Sequence, residues 1–183
     1  SAHQGPPGEP PLGRATRREP RASESPGMAV HQKGHDGDRK LRAGLEAHLP
    51  DPRDFDDWHY LTQVNQARAL QLGIEHFRSL RPLCMGTVVW QLNDCWPVQS
   101  WSILDSDGNY KALAYELRRL YEDNMVSIEK KNEKFRVWLI GRDIETSAAS
   151  LTAIHLTTGD VLREWTSDLS LPKASEDIRL MLE

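Results

Sequence analysis

The sequence lacks any apolar run that approaches the ~20 residues needed to cross a lipid bilayer, and its N-terminus has no apolar stretch of the kind a secretory signal requires. We therefore expect a soluble chain that is not exported. Cysteine is also scarce, with only Cys84 and Cys95 present. These two lie at opposite ends of a segment predicted to be extended, which places their sulfurs beyond disulfide reach. Two free thiols suit a reducing compartment, so cytoplasmic localisation is expected.

A basic cluster is absent as well. The net charge is −4 and the Lys and Arg residues are scattered, which gives no electrostatic reason to expect a nucleic acid or a membrane surface as partner. Hydrophobic residues make up 38% of the chain and charged residues 27%, with a mean hydropathy of −0.61. This composition is somewhat poor in core-forming residues. Part of the chain is therefore expected to be unpacked.

The first 27 residues are the best candidate for that unpacked part. They consist mainly of Pro, Gly, Arg, Glu and Ser, and Leu12 is their one large apolar side chain. Such a segment cannot bury enough surface to offset the entropy lost on ordering, so residues 1–27 are predicted to be disordered. Residues 28–53 are predicted to be a connector with a short helix over 39–48 that Pro50 stops.

Residues 54–121 have the pattern of an α/β fold. Apolar residues recur at gaps of three and four between Asp54 and Pro82, which predicts one long amphipathic helix with carboxylates at its N-terminus. Residues 84–92 are apolar without alternation, as in a parallel strand that is buried on both faces. A polar loop over 93–109 and a helix over 110–121 follow. This order of elements indicates an α/β barrel or a doubly wound sheet.

The pattern changes after residue 124 to that of antiparallel strands. Residues 135–140 alternate strictly, and residues 150–165 predict a hairpin in which Gly159 supplies a positive φ at the turn. We expect part of a β-sandwich here, with Trp138 and Trp165 in its core. Four or five strands are fewer than the ~7 that such a sandwich uses, so it is predicted to be incomplete.

A polar group of residues follows the predicted strand over 84–92. In a barrel the carboxyl ends of the strands form the active site. Trp90 has a flat face suited to the C–H surface of a sugar, and Asn93 and Asp94 have short polar side chains suited to its hydroxyls. A structural interpretation competes, because a Trp at a strand end often packs in a core and Asn-Asp is an ordinary turn. Trp96 and Trp101 are open to the same two interpretations.

The histidines do not suggest a metal site. The spacings of His31, His35 and His59 fit no closed zinc site, and no cysteine lies near them in the sequence. No metal or other cofactor is expected.

Three stretches of the sequence resemble the β-mannosidases of glycoside hydrolase family 2. The longest resembles the eighth barrel strand and its loop in that family, and it reads Cys84-Met-Gly-Thr-Val-Val-Trp-Gln-Leu-Asn-Asp-Cys-Trp-Pro-Val-Gln-Ser-Trp-Ser, followed by Asp-Gly-Asn-Tyr-Lys-Ala-Leu. The other two resemble the segment before the seventh barrel helix and the start of that helix, and they read Met28-Ala-Val-His-Gln-Lys and Asp54-Phe-Asp-Asp-Trp-His-Tyr-Leu. The Cys-Trp-Pro run is closer to the bacterial pattern than to the animal lysosomal one.

This resemblance implies a fold and a function. Residues 28–123 would form the C-terminal part of a (β/α)8 TIM barrel, and residues 124–183 an incomplete immunoglobulin-like β-sandwich. The family hydrolyses terminal non-reducing β-D-mannose from mannosides and oligosaccharides with retention of configuration. A β-mannoside is therefore the expected partner, with Trp90, Asn93 and Asp94 as candidate substrate-binding residues.

The resemblance does not extend to the catalytic groups. Retention requires two carboxyl groups about 5–5.5 Å apart. In the family one Glu follows an Asn on the fourth barrel strand, and the other lies in a Ser-Glu-Phe-Gly motif on the seventh. Neither motif is present, since Ser23-Glu24 is followed by Ser25-Pro26. No catalytic residue is assigned. Two alternatives remain open: another family 2 glycosidase, acting on galactosides or glucuronides, and a non-catalytic carbohydrate-binding or interaction module.

The isolated 183-residue chain is predicted to be inactive. Because both carboxyl groups of the two-step mechanism are missing, the purified chain should not hydrolyse an aryl β-mannoside above the uncatalysed rate. The release of the aryl alcohol, followed by absorbance, checks this. Clear turnover that Glu24→Gln abolishes would show that the nucleophile had been overlooked.

Overall fold

The computed structural model describes residues 26–132, 134–141, 148–168 and 178–182. The chain divides into two compact units. Of the described residues, the first contains those up to Ile74 together with Thr87–Tyr121, and the second contains Glu75–Gly86 together with those from Glu122 onward. Most of the segment predicted to be disordered lies outside the described residues. Its last two residues, Pro26 and Gly27, are helical, so the prediction was wrong for them.

The described part of the first unit begins with two short helices: α1, Pro26–Val30, and α2, Gly37–Glu46. The second agrees with the predicted helix over 39–48, whereas α1 was not anticipated. Met28, Leu45 and Trp58 are buried together, and four partly buried residues pack against them: Leu41, Leu49, Phe55 and Leu61. The Trp58 ring stacks on Phe55 with 5.8 Å between centroids. This cluster joins α1 and α2 to the start of the next helix.

The long helix α3 is Phe55–Ser79, as the periodicity predicted. Its N-terminus is capped by Asp54, whose carboxylate accepts a hydrogen bond from the Asp57 amide at 2.9 Å. The final predicted helix, α4, is Ala112–Leu120. Its three leucines at helical spacing are buried, with exposures of 0%, 8% and 0%: Leu113, Leu117 and Leu120. Both helix predictions are confirmed.

The strand predicted over 84–92 is not formed. These residues form no strand and have no strand partner among the described residues, and Met85, Val88 and Trp90 are 54%, 95% and 70% exposed. The physical reason is that a parallel strand is stable only when neighbouring strands satisfy its backbone and helices cover its faces. The described part of the chain supplies neither. The apolar sequence of residues 84–92 therefore suits a buried strand, and the described residues do not bury it.

The described residues of the second unit form five strands: β1, Met125–Lys131; β2, Lys134–Gly141; β3, Ala148–Ile154; β4, Val161–Asp168; and β5, Ile178–Leu182. One sheet has the order β1-β2-β5 and the other pairs β3 with β4, with antiparallel pairing throughout. The alternating strand and the hairpin are confirmed. Gly159, in the turn between β3 and β4, has a φ of 76° as predicted.

The two strand tryptophans differ in burial. Trp138 on β2 is 8% exposed and shares its buried face with Ile140, which is fully buried. Trp165 on β4 is 41% exposed, and the Arg163 guanidinium lies 5.0 Å from the centroid of its ring. The prediction that Trp165 belongs to a core was therefore wrong. No second layer covers this face of the β3–β4 pair among the described residues, so the ring is covered by a neighbouring cation instead.

This difference in burial gives a matched pair of variants. Trp138→Ala should lower the free energy of unfolding by about 3–5 kcal/mol because it removes a buried ring and leaves a cavity. Trp165→Ala should cost less than about 1 kcal/mol, as surface substitutions usually do. Urea unfolding followed by far-ultraviolet circular dichroism measures both. Equal losses for the two variants would contradict the burial that the structure assigns.

Candidate functional site

The loop after Trp90 is ordered by its own backbone. The Leu104 amide donates to the Leu92 carbonyl at 2.9 Å, and the Asp94 amide donates to the Leu104 carbonyl at 3.2 Å. The Lys111 amide donates to the Ile103 carbonyl at 3.1 Å. Residues 91–94, 102–104 and 110–111 therefore lie side by side. This arrangement gives the segment predicted as a polar loop a fixed shape.

The carboxylate of Asp94 lies inside this arrangement. Its side chain is 1% exposed, and the Ser100 hydroxyl lies 2.8 and 2.6 Å from its two oxygens. The Ser102 hydroxyl donates to Oδ2. Lys111 Nζ lies 3.2 Å from Oδ2 and Lys33 Nζ lies 3.5 Å from Oδ1. A buried carboxylate requires such partners, because an unpaired charge is costly away from water.

These partners keep Asp94 ionised. Burial by itself acts to raise its pKa, but the hydrogen bonds from Ser100 and Ser102 and the ammonium of Lys111 together outweigh burial. The pKa of Asp94 consequently lies below its ordinary value. Both oxygens are occupied by donors from the protein itself.

The loop also contacts the His31-Gln32-Lys33 segment, which is distant in the sequence. The Gln99 amide donates to the His31 carbonyl at 2.7 Å, and the Lys33 amide donates to the Gln99 carbonyl at 3.2 Å. His31 is buried, with Nδ1 2.6 Å from the Pro97 carbonyl and its ring 5.6 Å from that of Trp96. Two stretches that resembled one family separately in the sequence are therefore neighbours in space.

Helix α3 holds the other side of the loop. Gln66 Nε2 donates to the Trp101 carbonyl at 2.9 Å. Gln63 Oε1 accepts a hydrogen bond from the Ala112 amide at 3.0 Å, so α3 supplies the cap that α4 does not provide for itself. On the outer surface Lys33 Nζ lies 6.0 Å from the centroid of the Trp101 ring, which is 40% exposed.

The three candidate substrate-binding residues differ in accessibility. Trp90 is 70% exposed and Asn93 is exposed, with Asn93 Nδ2 donating to the Asp94 carbonyl at 3.1 Å. Asp94 is buried and bonded to the protein. The structure places all three at the start of the ordered loop, and their contact with a substrate stays a prediction.

The partners of Asp94 were missed in the sequence: Lys33, Ser100, Ser102 and Lys111. A signal for the two serines existed, because side chains two residues apart in an extended segment point to the same side. Spacing gave no signal for the lysines, which lie 61 and 17 residues from Asp94, although both fall in the stretches that resemble the family.

Cys84 and Cys95 are both free thiols, as predicted. In the part of the chain that the structure describes, no group of three or more His, Cys, Asp or Glu residues is placed to hold a metal ion. None of the helices described there is both long and apolar enough to span a bilayer.

Asp94 should make stability depend on pH in the acid range. Its folded-state pKa lies below the unfolded value of about 3.9, so its contribution is fully present above that pH and is lost as the pH falls through the folded-state pKa. Asp94→Asn should therefore lower the free energy of unfolding at neutral pH, by on the order of 3 kcal/mol. The free energy of unfolding of this variant should also decrease less than that of the wild type when the pH is lowered to about 3.

Urea midpoints measured at both pH values check this expectation. Asp51→Asn is the control, because Asp51 is exposed before α3. An Asp94→Asn variant that keeps the wild-type acid dependence would contradict the ionised, buried state assigned to Asp94.

Comparison with known proteins shows which proteins the chain is similar to. No family model matches the chain. It is 30% identical to β-mannosidase B of Emericella nidulans and 27% identical to that of Aspergillus niger, in each case over 75% of this chain and 18% of the relative. The β-D-mannosidase of Dictyoglomus thermophilum has a similar structure, with a TM-score of 0.66 and 29% identity over 86% of this chain and 19% of that enzyme. The chain is therefore a relative of the glycoside hydrolase family 2 β-mannosidases and spans less than a fifth of their length.

Proposed function

We propose that this chain forms part of the substrate-binding face of a retaining β-mannosidase, which removes terminal non-reducing β-D-mannose from mannosides and oligosaccharides. The observation that carries the proposal is the joint match in sequence and structure to β-mannosidases. Because the chain spans 18–19% of the length of those relatives, the activity is proposed for a protein that contains it. Its two free cysteines support a cytoplasmic, reducing location.

The fold proposed for that protein extends the described one. Residues 28–123 would belong to a (β/α)8 barrel, in which residues 84–92 pair with parallel strands on both edges. The exposed apolar side chains of this segment support the proposal, because pairing and coverage by helices would bury them. Residues 124–183 would belong to an immunoglobulin-like β-sandwich, which the two antiparallel sheets of the second unit support.

We propose different roles for the three candidate residues. Trp90 would stack its accessible face on the terminal mannose, and the exposed amide of Asn93 would bond to a hydroxyl. Asp94 would affect the substrate indirectly, because Ser100, Ser102 and Lys111 already meet the hydrogen-bonding capacity of its carboxylate. The two catalytic carboxyl groups would come from outside this chain.

A chimera tests the proposed activity. Residues 26–121 would replace the matching segment of the Dictyoglomus thermophilum β-D-mannosidase, and the product would be assayed with aryl β-mannoside, β-galactoside and β-glucuronide. The proposal expects the β-mannoside to be hydrolysed in preference to the other two. A chimera that melts cooperatively yet prefers a galactoside or a glucuronide would support another family 2 activity instead.

Within that chimera, Trp90→Ala should lower kcat/KM for the aryl β-mannoside by about 10- to 100-fold, or ~1.4–3 kcal/mol at the transition state. The reason is that the aromatic face should hold the sugar ring as it flattens toward an oxocarbenium-like transition state. Tyr115→Ala is the matched control, because Tyr115 is 66% exposed on α4, close to the 70% of Trp90. If Trp90→Ala keeps near-normal kcat/KM but melts early, Trp90 is a packing residue.

A further inference from the structure

We propose that Lys111 is a positioning residue for Trp90, acting through Ser102, Asp94 and the backbone of the loop between them. This inference rests on the proposed function, in which Trp90 stacks on the substrate. Lys111 lies 21 positions after Trp90, within the stretch that resembles the family, and the sequence assigned it no role.

The location of Lys111 is unfavourable for its own helix. Lys111 is the N-cap residue of α4 and makes no side-chain capping bond. A cation at a helix N-terminus is disfavoured by the partial positive charge of the helix dipole there. Gln63 supplies the cap instead, because its Oε1 accepts a hydrogen bond from the Ala112 amide. Helix formation therefore does not explain a lysine at this position.

The contacts of the Lys111 side chain supply the explanation. Its side chain is 14% exposed, and Nζ lies 2.7 Å from Ser102 Oγ and 3.2 Å from Asp94 Oδ2. Lys33, the other cation at Asp94, is more exposed and more distant, at 26% and 3.5 Å. Lys111 is thus the closer cation to a carboxylate that is almost fully buried. Removing the ammonium would leave that charge underpaired, which drives the surrounding segment to rearrange and admit water.

A short path of hydrogen bonds leads from Lys111 to Trp90. The Lys111 amide donates to the Ile103 carbonyl at 3.1 Å, and the Ile103 amide lies 3.0 Å from the Gln91 carbonyl. Gln91 directly follows Trp90. The Lys111 side chain also contacts Ser102 and Asp94, which lie in the two segments that this path connects, residues 102–104 and 91–94. The backbone directly after Trp90 is therefore fixed by hydrogen bonds to residues that follow it in the sequence, and Lys111 and its partners are among these residues.

Little holds Trp90 from the other direction. Among the described residues, no backbone hydrogen bond to another backbone group ties residues 85–90. The nearest upstream contact is between the Thr87 hydroxyl and the Tyr121 hydroxyl, at 2.5 Å. The direction in which Trp90 presents its ring should consequently be more sensitive to Lys111 than to the segment that precedes it.

Fluorine NMR of the full chain labelled with fluorotryptophan tests the inference without any activity assay. The chain has six tryptophans, and Trp58 and Trp138, which are buried on α3 and β2 respectively, serve as internal controls. Lys111→Met should move the Trp90 resonance roughly half of the way or more toward its position in the urea-unfolded chain, as expected when the ordered population falls. Resonances of Trp58 and Trp138 should stay in place, and Lys111→Arg should restore the Trp90 position.

Amide hydrogen exchange on the same proteins provides the second measurement. Loss of the Lys111 ammonium should speed exchange at Asp94, Ile103 and Leu104 by about tenfold or more, while β1 and β2 keep their protection. Ser102→Ala, a smaller change that removes the hydroxyl linking Lys111 to Asp94, should act in the same direction and guards against a Lys111→Met chain that fails to fold.

An unchanged Trp90 resonance, or exchange that speeds up equally throughout the chain, would overturn the inference, because either result would leave Lys111 with a general structural role at most. Failure of the mannosidase assay would not affect either readout, so the two proposals fail separately.

Discussion

A single buried negative charge organises the candidate site. The Asp94 carboxylate has lost almost all contact with water. Removing a charge from water costs free energy, and the hydroxyl and ammonium groups that replace the water offset this cost. Those groups come from three separate stretches of the chain, at Lys33, at Ser100 and Ser102, and at Lys111. These partners of one carboxylate and the backbone hydrogen bonds of the loop together hold the loop in a fixed shape. The fixed loop in turn determines where Trp90 and Asn93 are presented.

Much of the fold could be predicted because its signals are local. The buried leucines of α4, the cap at Asp54 and the turn at Gly159 each depend on residues close together in the sequence. The Asp94 site depends instead on partners from distant positions. In the sequence, Asn93-Asp94 has the form of an exposed turn, and nothing in that pattern indicates that the carboxylate is buried. The tertiary partners decide this, and no periodicity encodes them.

The two corrections to the predicted β structure have the same cause. Residues 84–92 have the composition of a strand buried on both faces, and Trp165 alternates correctly for a sandwich core. Each pattern indicates that its segment is suited to a buried strand. Whether the segment is buried depends on neighbouring strands and covering layers from elsewhere. Where neighbouring strands or a covering layer are missing from the described residues, the apolar side chains are exposed. Helices are less affected, because their backbone hydrogen bonds are made within the element itself.

We propose that Trp90 contacts the sugar directly, whereas Asp94 acts only through its bonds within the loop. A crystal structure of the chimeric enzyme with a mannose-derived inhibitor tests both halves together. The account predicts that the Trp90 ring lies within about 4 Å of the pyranose carbons, in van der Waals contact, and that Asp94 keeps its bonds to Ser100, Ser102 and Lys111. A sugar bound away from Trp90, or hydrogen-bonded directly to the Asp94 carboxylate, would contradict it.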